Sequence, residues 1–250
     1  MNDGERPRLT FFFPAYNEEE NVAETVRRAL DEIGALVGGS IEVLVVDDGS
    51  TDSTPELADA LAADDPRVRV FHQTNRGYGG ALRAGFGNAR GELICFSDGD
   101  LQFDLREMSR LLTRLDDAKK PVDAVIGYRI KRRDPPHRIV IAKTYNAIVS
   151  VLFGLRVRDI DCAMKVFRRQ VFDGLPLETD SPFLSAELLI KLRGRGARIA
   201  QVGVNHYPRS AGTNTGASFR KILRTFRDIG RLRLALWTRR SEVLGEAPAR

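Results

Sequence analysis

Residues 92–103 read Glu-Leu-Ile-Cys-Phe-Ser-Asp-Gly-Asp-Leu-Gln-Phe, and the rest of the chain is organised around them. Its apolar run from Leu93 to Phe96 predicts a buried strand that ends on two carboxylates, Asp98 and Asp100. Open α/β sheets bind their ligands at the carboxyl ends of the strands. The two acids are therefore candidates for holding a divalent metal, although acid pairs in tight turns also occur in proteins that bind none.

The spacing of the polar side chains separates their roles. Along an extended chain, residues two apart face the same way, so Asp100 and Gln102 are predicted to share one ion. Their hard oxygen ligands suit Mg²⁺ or Mn²⁺. Asp98 needs a turn at Gly99 to reach the same ion; otherwise it contacts a different part of the ligand.

Strand and helix patterns alternate along most of the chain. Strands are predicted at Leu9–Phe13, Ile41–Val46, Val68–Phe71, Leu93–Phe96, Ala124–Tyr128 and Ile199–Val204. Helices are predicted from Glu18, after Thr54, after the Gly-rich loop that starts at Asn75, and at Leu105–Leu115, Arg138–Phe153, Ser185–Leu192 and Ala217–Trp237. This order predicts an α/β fold with right-handed βαβ units, a mostly parallel sheet and helices on both of its faces. The strand ends at Pro14, Asp47 and Asp98 are expected to gather on one edge.

Composition sets the broad class. The 250 residues are 42% hydrophobic and 29% charged, which is typical of a soluble globular protein. We predict one catalytic domain over 1–216 and a basic amphipathic helix and tail over 217–250. Cys95 and Cys162 both lie in apolar surroundings, which favours reduced core thiols in a cytosolic protein.

Membrane-spanning and secretory segments are not expected. The first eight residues contain no apolar signal region. The most apolar long segment, Ile139–Leu155, is interrupted by Lys143 and Asn146 and is too short for a spanning helix.

Basic residues form two clusters in a chain of net charge +5. The first contains Arg129, Lys131, Arg132, Arg133, Arg138 and Lys143, and the second contains Arg220, Lys221, Arg224, Arg227, Arg231, Arg233, Arg239 and Arg240. Nucleic acid, phosphorylated ligands and an anionic membrane would each suit such clusters, as would plain solvation.

The Gly-rich stretch 76–91 bears on whether the chain contains a Walker-type phosphate-binding loop or an RNA-binding segment. It is not a Walker loop, because no Gly-Lys-Ser/Thr follows its glycines. Its Arg and Gly content is also found in RNA-binding segments, but its helical continuation between two strands favours a packed connection, so no nucleic-acid partner is expected. An aspartate-nucleophile phosphatase is disfavoured by Leu101-Gln102, where a small polar pair normally follows the second acid.

Five stretches occur in an order that resembles one known family. They are Phe-Pro-Ala-Tyr-Asn-Glu-Glu (13–19), Val-Val-Asp-Asp-Gly-Ser-Thr-Asp (45–52), Asn-Arg-Gly-Tyr-Gly-Gly-Ala (75–81), Ala-Arg-Gly-Glu (89–92) and Ser-Asp-Gly-Asp-Leu-Gln (97–102). Over about residues 8–215 the chain resembles the family 2 inverting glycosyltransferases. Within them it is most similar to the dolichol-phosphate mannosyltransferase and polyprenyl-phosphate glycosyltransferase branch. The resemblance implies a GT-A fold, with a nucleotide-binding half joined to an acceptor half.

The resemblance also implies roles for single residues. The donor nucleotide sugar would be held by Pro14, Tyr16, Glu18, Val46, Asp48, Asp98, Gly99, Asp100 and Gln102. Asp100 and Gln102 would carry the Mg²⁺ or Mn²⁺ that bridges the diphosphate, and Arg209 would close over the diphosphate or the incoming phosphate. The acceptor would be bound by Arg129, Arg138, Lys143 and Lys165. The catalytic residues would be Asp100, Asp159 and Arg209.

The role of Asp159 depends on the acceptor. A hydroxyl acceptor needs a carboxylate to remove its proton. A lipid monophosphate, with a second pKa of about 6, is already largely ionised at neutral pH. Asp159 is therefore a base in the first case and an organiser of nearby cations in the second, and His206 is assigned no role.

Three positions depart from the family pattern. Ala142 stands where relatives often have a serine for the lipid phosphate, Ala163-Met164 replaces the commoner Gly-Phe, and Phe183 replaces a lysine of some mannosyltransferases. These differences weaken the expectation of mannose and of the acceptor contacts.

The expected activity is transfer of a hexose, mannose or glucose, from GDP-mannose or UDP-glucose to a polyprenyl or dolichyl phosphate. A hydroxyl acceptor, or a nucleotide-binding subunit without transfer activity, is the alternative.

The last predicted helix suggests where such an acceptor would be met. Its apolar residues, Phe219, Ile222, Leu223, Phe226, Ile229 and Leu232, form a stripe beside arginines and a lysine. A basic amphipathic helix either lies in the membrane interface or packs on its own domain. We expect helices 138–153 and 217–237 to dock the protein on an anionic membrane from the cytoplasm, without spanning it.

Overall fold

The computed structural model describes residues 6–130, 136–208 and 219–245. Their strands form one seven-stranded sheet in the order β3-β2-β1-β4-β6-β5-β7. The strands are β1 (Leu9–Ala15), β2 (Ile41–Asp47), β3 (Val68–His72), β4 (Leu93–Phe96), β5 (Ala124–Arg129), β6 (Lys165–Arg168) and β7 (Ile199–Val204). β6 is antiparallel to both of its neighbours, and the other pairings are parallel.

Helices connect the strands and flank the sheet. They are α1 (Val22–Arg28), α2 (Gly34–Leu36), α3 (Thr54–Asp64), α4 (Gly77–Asn88), α5 (Met108–Leu115), α6 (Pro136–Phe153), α7 (Leu184–Gly194), α8 (Phe219–Thr238) and α9 (Arg240–Leu244). A π-helical segment, Ala29–Ile33, joins α1 to α2, and 3₁₀ turns occupy Leu105–Glu107 and Arg169–Phe172.

The core lies on both faces of the central strands. Every residue of β2 is buried, as expected for a parallel strand that is covered by helices on both sides. Phe12 on β1 stacks on Phe96 of β4, with ring centroids 5.4 Å apart. Phe86 of α4 meets the edges of both rings. These aromatic contacts fix α4 against the two strands that carry the site.

The predicted mostly parallel sheet is confirmed, and the six predicted strands begin at the predicted residues. Strand β6 was not predicted from the sequence. Its four residues, Lys-Val-Phe-Arg, hold only two apolar side chains between two cations, so neither an alternating nor a continuous apolar pattern marks a strand.

The ends of five strands meet at one edge of the sheet. The parallel strands β1, β2, β4 and β5 bring their carboxyl ends there, and antiparallel β6 brings its amino end, so Lys165 pairs with Phe96. The strand order reverses between β1 and β4, because β2 lies on one side of β1 and β4 on the other. Ligands of open α/β sheets bind at such a switch point.

Candidate functional site

The turn after β4 is packed tightly on the end of β1. A Cβ added to Gly99 would lie 2.7 Å from the Phe13 ring, so only glycine fits at this position without a shift. The Thr25 hydroxyl donates to the Gly99 carbonyl at 3.2 Å. Leu101 has φ of 58°, a left-handed conformation that non-glycine residues rarely adopt. The turn that presents Asp98 and Asp100 is thus held in a conformation that local preferences would not select.

Asp98 lies partly buried at the switch point. The Tyr78 hydroxyl donates to its Oδ1 at 3.0 Å. Burial raises the pKa of the Asp98 carboxyl above its ordinary value, while the Tyr78 hydrogen bond and the charges of Lys165 and Arg129 oppose that rise.

Asp100 and Gln102 are held next to each other by the same turn. The Gln102 backbone N–H donates to Asp100 Oδ1 at 3.2 Å, and the Gln102 side-chain amide donates to the Tyr207 carbonyl at 3.1 Å. With its nitrogen turned to Tyr207, the Gln102 amide has its oxygen left for a cation.

The donor set fits a metal that is bound together with a ligand. Among the described residues, no three His, Cys, Asp or Glu side chains form a group that could hold a metal ion. Mg²⁺ commonly takes one or two carboxylates and completes its shell with substrate phosphates and water, so an Asp100–Gln102 pair suits a metal–diphosphate complex.

Two loops beside the turn that carries Asp98 and Asp100, which we call the acid turn, are bound to each other. The Asn17 carboxamide oxygen accepts the Thr51 N–H at 2.8 Å, and the Asn17 N–H donates to the Ser50 hydroxyl at 3.0 Å. The Glu18 N–H donates to the Thr54 hydroxyl at 2.9 Å. Loops 16–19 and 48–54 therefore act as one unit at the ends of β1 and β2. This unit carries the predicted donor residues Tyr16, Glu18 and Asp48, with Pro14 and Val46 on the strands beneath.

Asp48 caps helix α4. Its Oδ1 accepts the Arg76 N–H at 2.8 Å, and its Oδ2 accepts the Gly77 N–H at 2.8 Å. The Gln73 side-chain amide adds a third hydrogen bond at 2.7 Å. Most acceptor positions of this carboxylate are thus used within the protein, which the sequence analysis did not foresee.

Asp47, the neighbouring acid, is bound to His72. The imidazole contacts the carboxylates of Asp47 at 2.9 Å and Asp59 at 3.1 Å. The hydrogen bond to Asp47 is the largest cause of a raised His72 pKa.

Arg129 and Asp159 form a buried bidentate ion pair. The Arg129 Nε and terminal nitrogen donate to the two Asp159 carboxylate oxygens at 2.6 and 2.8 Å. Their side chains are only 9% and 7% exposed. The structure thus joins two residues that the sequence analysis assigned separately, one to the acceptor and one to catalysis.

The other predicted acceptor residues lie in different environments. Lys165 is 1% exposed, donates to the Cys162 carbonyl and lies over the Phe96 ring. Burial lowers its pKa. Lys143 is exposed on α6. The Arg138 side chain and all of Arg209 lie outside the described part of the chain.

Tyr78 is the functional candidate that sequence reasoning missed. It lay within the quoted stretch 75–81, but a tyrosine among glycines carries no signal that its hydroxyl meets an aspartate twenty residues later. Only the packing of α4 against β4 brings the two together.

Comparisons with known proteins give the family and the fold. The model of "Glycosyl transferase family 2" matches residues 10–175. The "Glycosyltransferase AglD" of Haloferax volcanii is 35% identical over 210 residues, which cover 80% of this chain and 33% of that protein. The "Undecaprenyl-phosphate 4-deoxy-4-formamido-L-arabinose transferase" of Salmonella paratyphi B is 29% identical over 225 residues, which cover 89% of this chain and 66% of that protein. The chain thus spans about a third of the archaeal relative and just under two thirds of the bacterial one.

Solved structures give a similar result for the fold. Glucosyl-3-phosphoglycerate synthase of Mycobacterium tuberculosis, in complex with Mn²⁺, UDP and phosphoglyceric acid, matches with a TM-score of 0.68 at 21% identity, over 98% of this chain and 80% of that chain. The same enzyme with Mg²⁺ and UDP matches with a TM-score of 0.63 at 21% identity, over 92% of this chain and 78% of that chain. Together with the sheet order, these relatives confirm the predicted GT-A fold.

Proposed function

The chain belongs to glycosyl transferase family 2, and we propose that it transfers a hexose from a nucleoside-diphosphate sugar to a polyprenyl phosphate with inversion at the anomeric carbon. One observation carries this proposal: a turn that suits a metal and a buried arginine–aspartate ion pair lie at the same edge of the sheet, after two strands that β6 separates. Asp98 and Asp100 end β4, while Arg129 ends β5, with only β6 between the two strands. The names of both curated relatives describe transferases, and the bacterial name includes undecaprenyl phosphate.

The donor is proposed to bind on the carboxylate side of the edge. The joined loops 16–19 and 48–54 would hold the nucleoside, with Tyr16 exposed at their rim. Asp100 and Gln102 would hold Mg²⁺ or Mn²⁺, which, when bound, neutralises charge that develops on the departing diphosphate. Asp98 would accept a hydrogen bond from a hydroxyl of the donor.

The Arg129–Asp159 pair favours a phosphate acceptor over a hydroxyl acceptor. Both Asp159 oxygens receive hydrogen bonds from the Arg129 guanidinium, so the carboxylate orients a cation rather than facing an acceptor hydroxyl. A lipid phosphate is already ionised and requires positive charge near its attacking oxygen, not a base. Arg129 and Lys143, together with Arg138 and Arg209, would supply that charge.

The outer surface of α8 supports contact with a membrane. The predicted single apolar stripe is divided in the structure, because Ile229 and Leu232 are buried against the domain while Leu223 and Phe226 are exposed. Leu234 and Trp237 continue the exposed side, because spacings of three and eight residues return to the same helical face. We name Leu223, Phe226, Leu234 and Trp237 the outer stripe.

The surroundings of the outer stripe strengthen this view. Exposed arginines lie beside it at positions 224, 227, 231 and 233. Helix α6, which packs on α8, exposes Val140, Ile141 and Val151. We propose that α6 and α8 lie on an anionic membrane, the cytoplasmic leaflet in our hypothesis, and bring the sheet edge to the lipid phosphate.

In the part of the chain that the structure describes, none of the helices combines the length and the hydropathy of a membrane span.

Transfer of radiolabelled sugar tests the proposal. The full chain is incubated with MnCl₂, polyprenyl phosphate in vesicles and each of a panel of labelled nucleotide sugars that includes UDP-glucose and GDP-mannose. We expect label in an organic-extractable lipid from at least one donor, and none after EDTA. Absence of labelled lipid with every donor, despite measurable nucleotide-sugar binding, would favour a binding subunit without transfer activity.

A further inference from the structure

Tyr78 is the residue in contact with Asp98 that the proposed mechanism has not used. It is the second residue of α4, and within the described chain its hydroxyl is the hydrogen-bond donor that reaches the Asp98 carboxylate, at 3.0 Å from Oδ1. A phenol held on one carboxylate oxygen leaves Oδ2 directed elsewhere, so the position of Tyr78 determines how Asp98 faces a ligand.

The first turn of α4 is fixed on one side by the loop after β2. Asp48 accepts the backbone N–H groups of Arg76 and Gly77, which are two donors that a helix start leaves unsatisfied. Gly77 has φ of 79°, a left-handed conformation that glycine adopts without the strain that a side chain would add. A predicted donor residue, Asp48, therefore sets the start of the helix that carries Tyr78.

A second loop contacts the same turn of α4. A Cβ at Gly79 would lie 2.2 Å from the Ser181 carbonyl oxygen, so the helix backbone is in direct contact with residues 180–181. Asp180 also binds Arg83 of α4 at 2.8 Å. The tyrosine between Gly77 and Gly79 has little freedom to move along the helix axis.

A buried ion pair on α7 holds the backbone of this second loop. Glu187 on α7 accepts the N–H groups of Glu178 and Thr179, both at 3.0 Å. Lys191, which is 0% exposed at its side chain, binds Glu187 at 2.7 Å and donates to the Pro176 carbonyl. The loop that presses on α4 is thus anchored through charge-assisted bonds in the core.

We propose that Tyr78 is a positioning residue for Asp98, which orients that carboxylate toward the donor sugar and links its orientation to the loop that carries Asp48. This inference deepens the proposed transferase function and rests on it. Tyr78 itself takes no part in the bond changes. Its hydroxyl contributes only by holding Oδ1, so removal of the hydroxyl matters only while the Asp98 carboxylate is present.

A double-mutant cycle tests the link. Binding of UDP-glucose and of GDP-mannose, each with MnCl₂, is measured by calorimetry for the wild type, Tyr78→Phe, Asp98→Ala and the double variant. Tyr78→Phe keeps the ring and its packing, and we expect it to weaken binding of the cognate nucleotide sugar about fivefold to tenfold, which is within the range of one ordinary hydrogen bond. In the Asp98→Ala background, the same substitution is expected to change the affinity by less than about twofold, since the coupled group is gone.

Controls separate this outcome from a general loss of structure. Tyr128→Phe removes a hydroxyl from a partly buried tyrosine under Arg158 and should leave both affinities unchanged. If Asp98→Ala does not fold, Asp98→Leu takes its place in the cycle. An equal loss from Tyr78→Phe in both backgrounds, or no loss in the wild-type background, overturns the inference while the proposed function stands. Absence of nucleotide-sugar binding by the wild type overturns the proposed function and this inference with it.

Discussion

The two sides of the sheet edge differ in charge and in how they are held. The carboxylate side comprises the ends of β1, β2 and β4 with loops 16–19, 48–54 and 97–103. Its acids are bound by backbone N–H groups and hydroxyls, as Asp48 and Asp98 show. The cation side comprises the ends of β5 and β6 with α6 and α8. It pairs a buried arginine with an aspartate, and its two helices expose apolar and basic side chains.

This difference indicates what each side can bind. Carboxylates that accept hydrogen bonds from neutral donors are oxygen ligands that suit a divalent metal, and such a metal binds together with a diphosphate. A cation side that is bordered by exposed apolar helices suits an anion attached to a hydrophobic chain. The nucleotide and the lipid phosphate would thus approach from opposite sides of β4.

The largest effect is expected at Asp100. Asp100→Ala should reduce sugar transfer about a thousandfold or more, because the metal that neutralises the diphosphate loses its carboxylate. Radiolabel transfer at saturating donor measures the loss. Asp64→Asn, an exposed carboxylate at the end of α3, is the matched control and should keep full activity. Substantial turnover by Asp100→Ala would contradict the proposed metal site on the carboxylate side.

The second prediction concerns the buried pair on the cation side. Asp159→Asn and Arg129→Gln should each lower transfer by about tenfold to a hundredfold, and each should cost about 3–5 kcal/mol of unfolding free energy, because each breaks a buried bidentate ion pair. The double variant should transfer sugar at least as fast as the less active of the two single variants, since the two residues act as one unit. A loss from Asp159→Asn far greater than that from Arg129→Gln would instead identify a base and a hydroxyl acceptor.

The third prediction concerns membrane contact. Replacing Leu223, Phe226 and Trp237 together by alanine should reduce flotation of the full chain with anionic vesicles about tenfold or more, through the loss of buried apolar area. Leu36→Ala with Leu57→Ala removes two exposed leucines away from α8 and should leave flotation unchanged. Equal flotation of both variants would show that the outer stripe is not the contact surface.

The fourth prediction tests how tightly the carboxylate side is packed. Gly79→Ala should lower the unfolding free energy by about 2–4 kcal/mol, because its Cβ meets the Ser181 carbonyl. Gly87→Ala lies on the same helix in open space and should raise it by about 0.5–1 kcal/mol. Chemical denaturation of both variants measures the contrast, and similar effects from both would contradict the contact of α4 with residues 180–181.

The smallest effect is a pH dependence at His72. Because its pKa is raised in the folded state by Asp47 and Asp59, His72 stabilises the fold fully below its unfolded pKa of about 6.5. This contribution is lost as the pH rises through the folded-state pKa. The unfolding free energy of His72→Gln should therefore approach that of the wild type as the pH is raised from 6 to 8. A constant difference across that range would show that the imidazole contributes no charge-dependent stability.

Sequence patterns predicted most of this fold because the central strands are continuous apolar runs, and the segments between them show the apolar periodicity of helices. β2 and β4 were predicted within one residue of their bounds. β6 was not predicted, because its two apolar residues form no strand pattern by themselves and become a strand only by pairing with β4 and β5 on either side. The division of α8 into a buried and an exposed apolar face was likewise invisible, since composition does not say which leucines the domain covers.

The candidate site could be predicted at the level of residues but not of contacts. The acid turn, Asp48, Arg129 and Asp159 were all selected from the sequence, and their roles remain predictions. What the sequence lacked was their partners: Asp159 with Arg129, Asp48 with the start of α4, and Asp98 with Tyr78. Each pair joins residues twenty or more positions apart, which only the packed sheet edge brings together.

The central claim is that the cation side accepts an anionic lipid, and one comparison tests it most directly. The purified full chain receives labelled nucleotide sugar, MnCl₂ and vesicles that contain either a polyprenyl phosphate or the free polyprenol of the same length. We predict labelled lipid with the phosphate and a rate at least about a hundredfold lower with the alcohol, because the alcohol requires a base that Asp159 does not provide. Equal or faster transfer to the polyprenol would contradict the account.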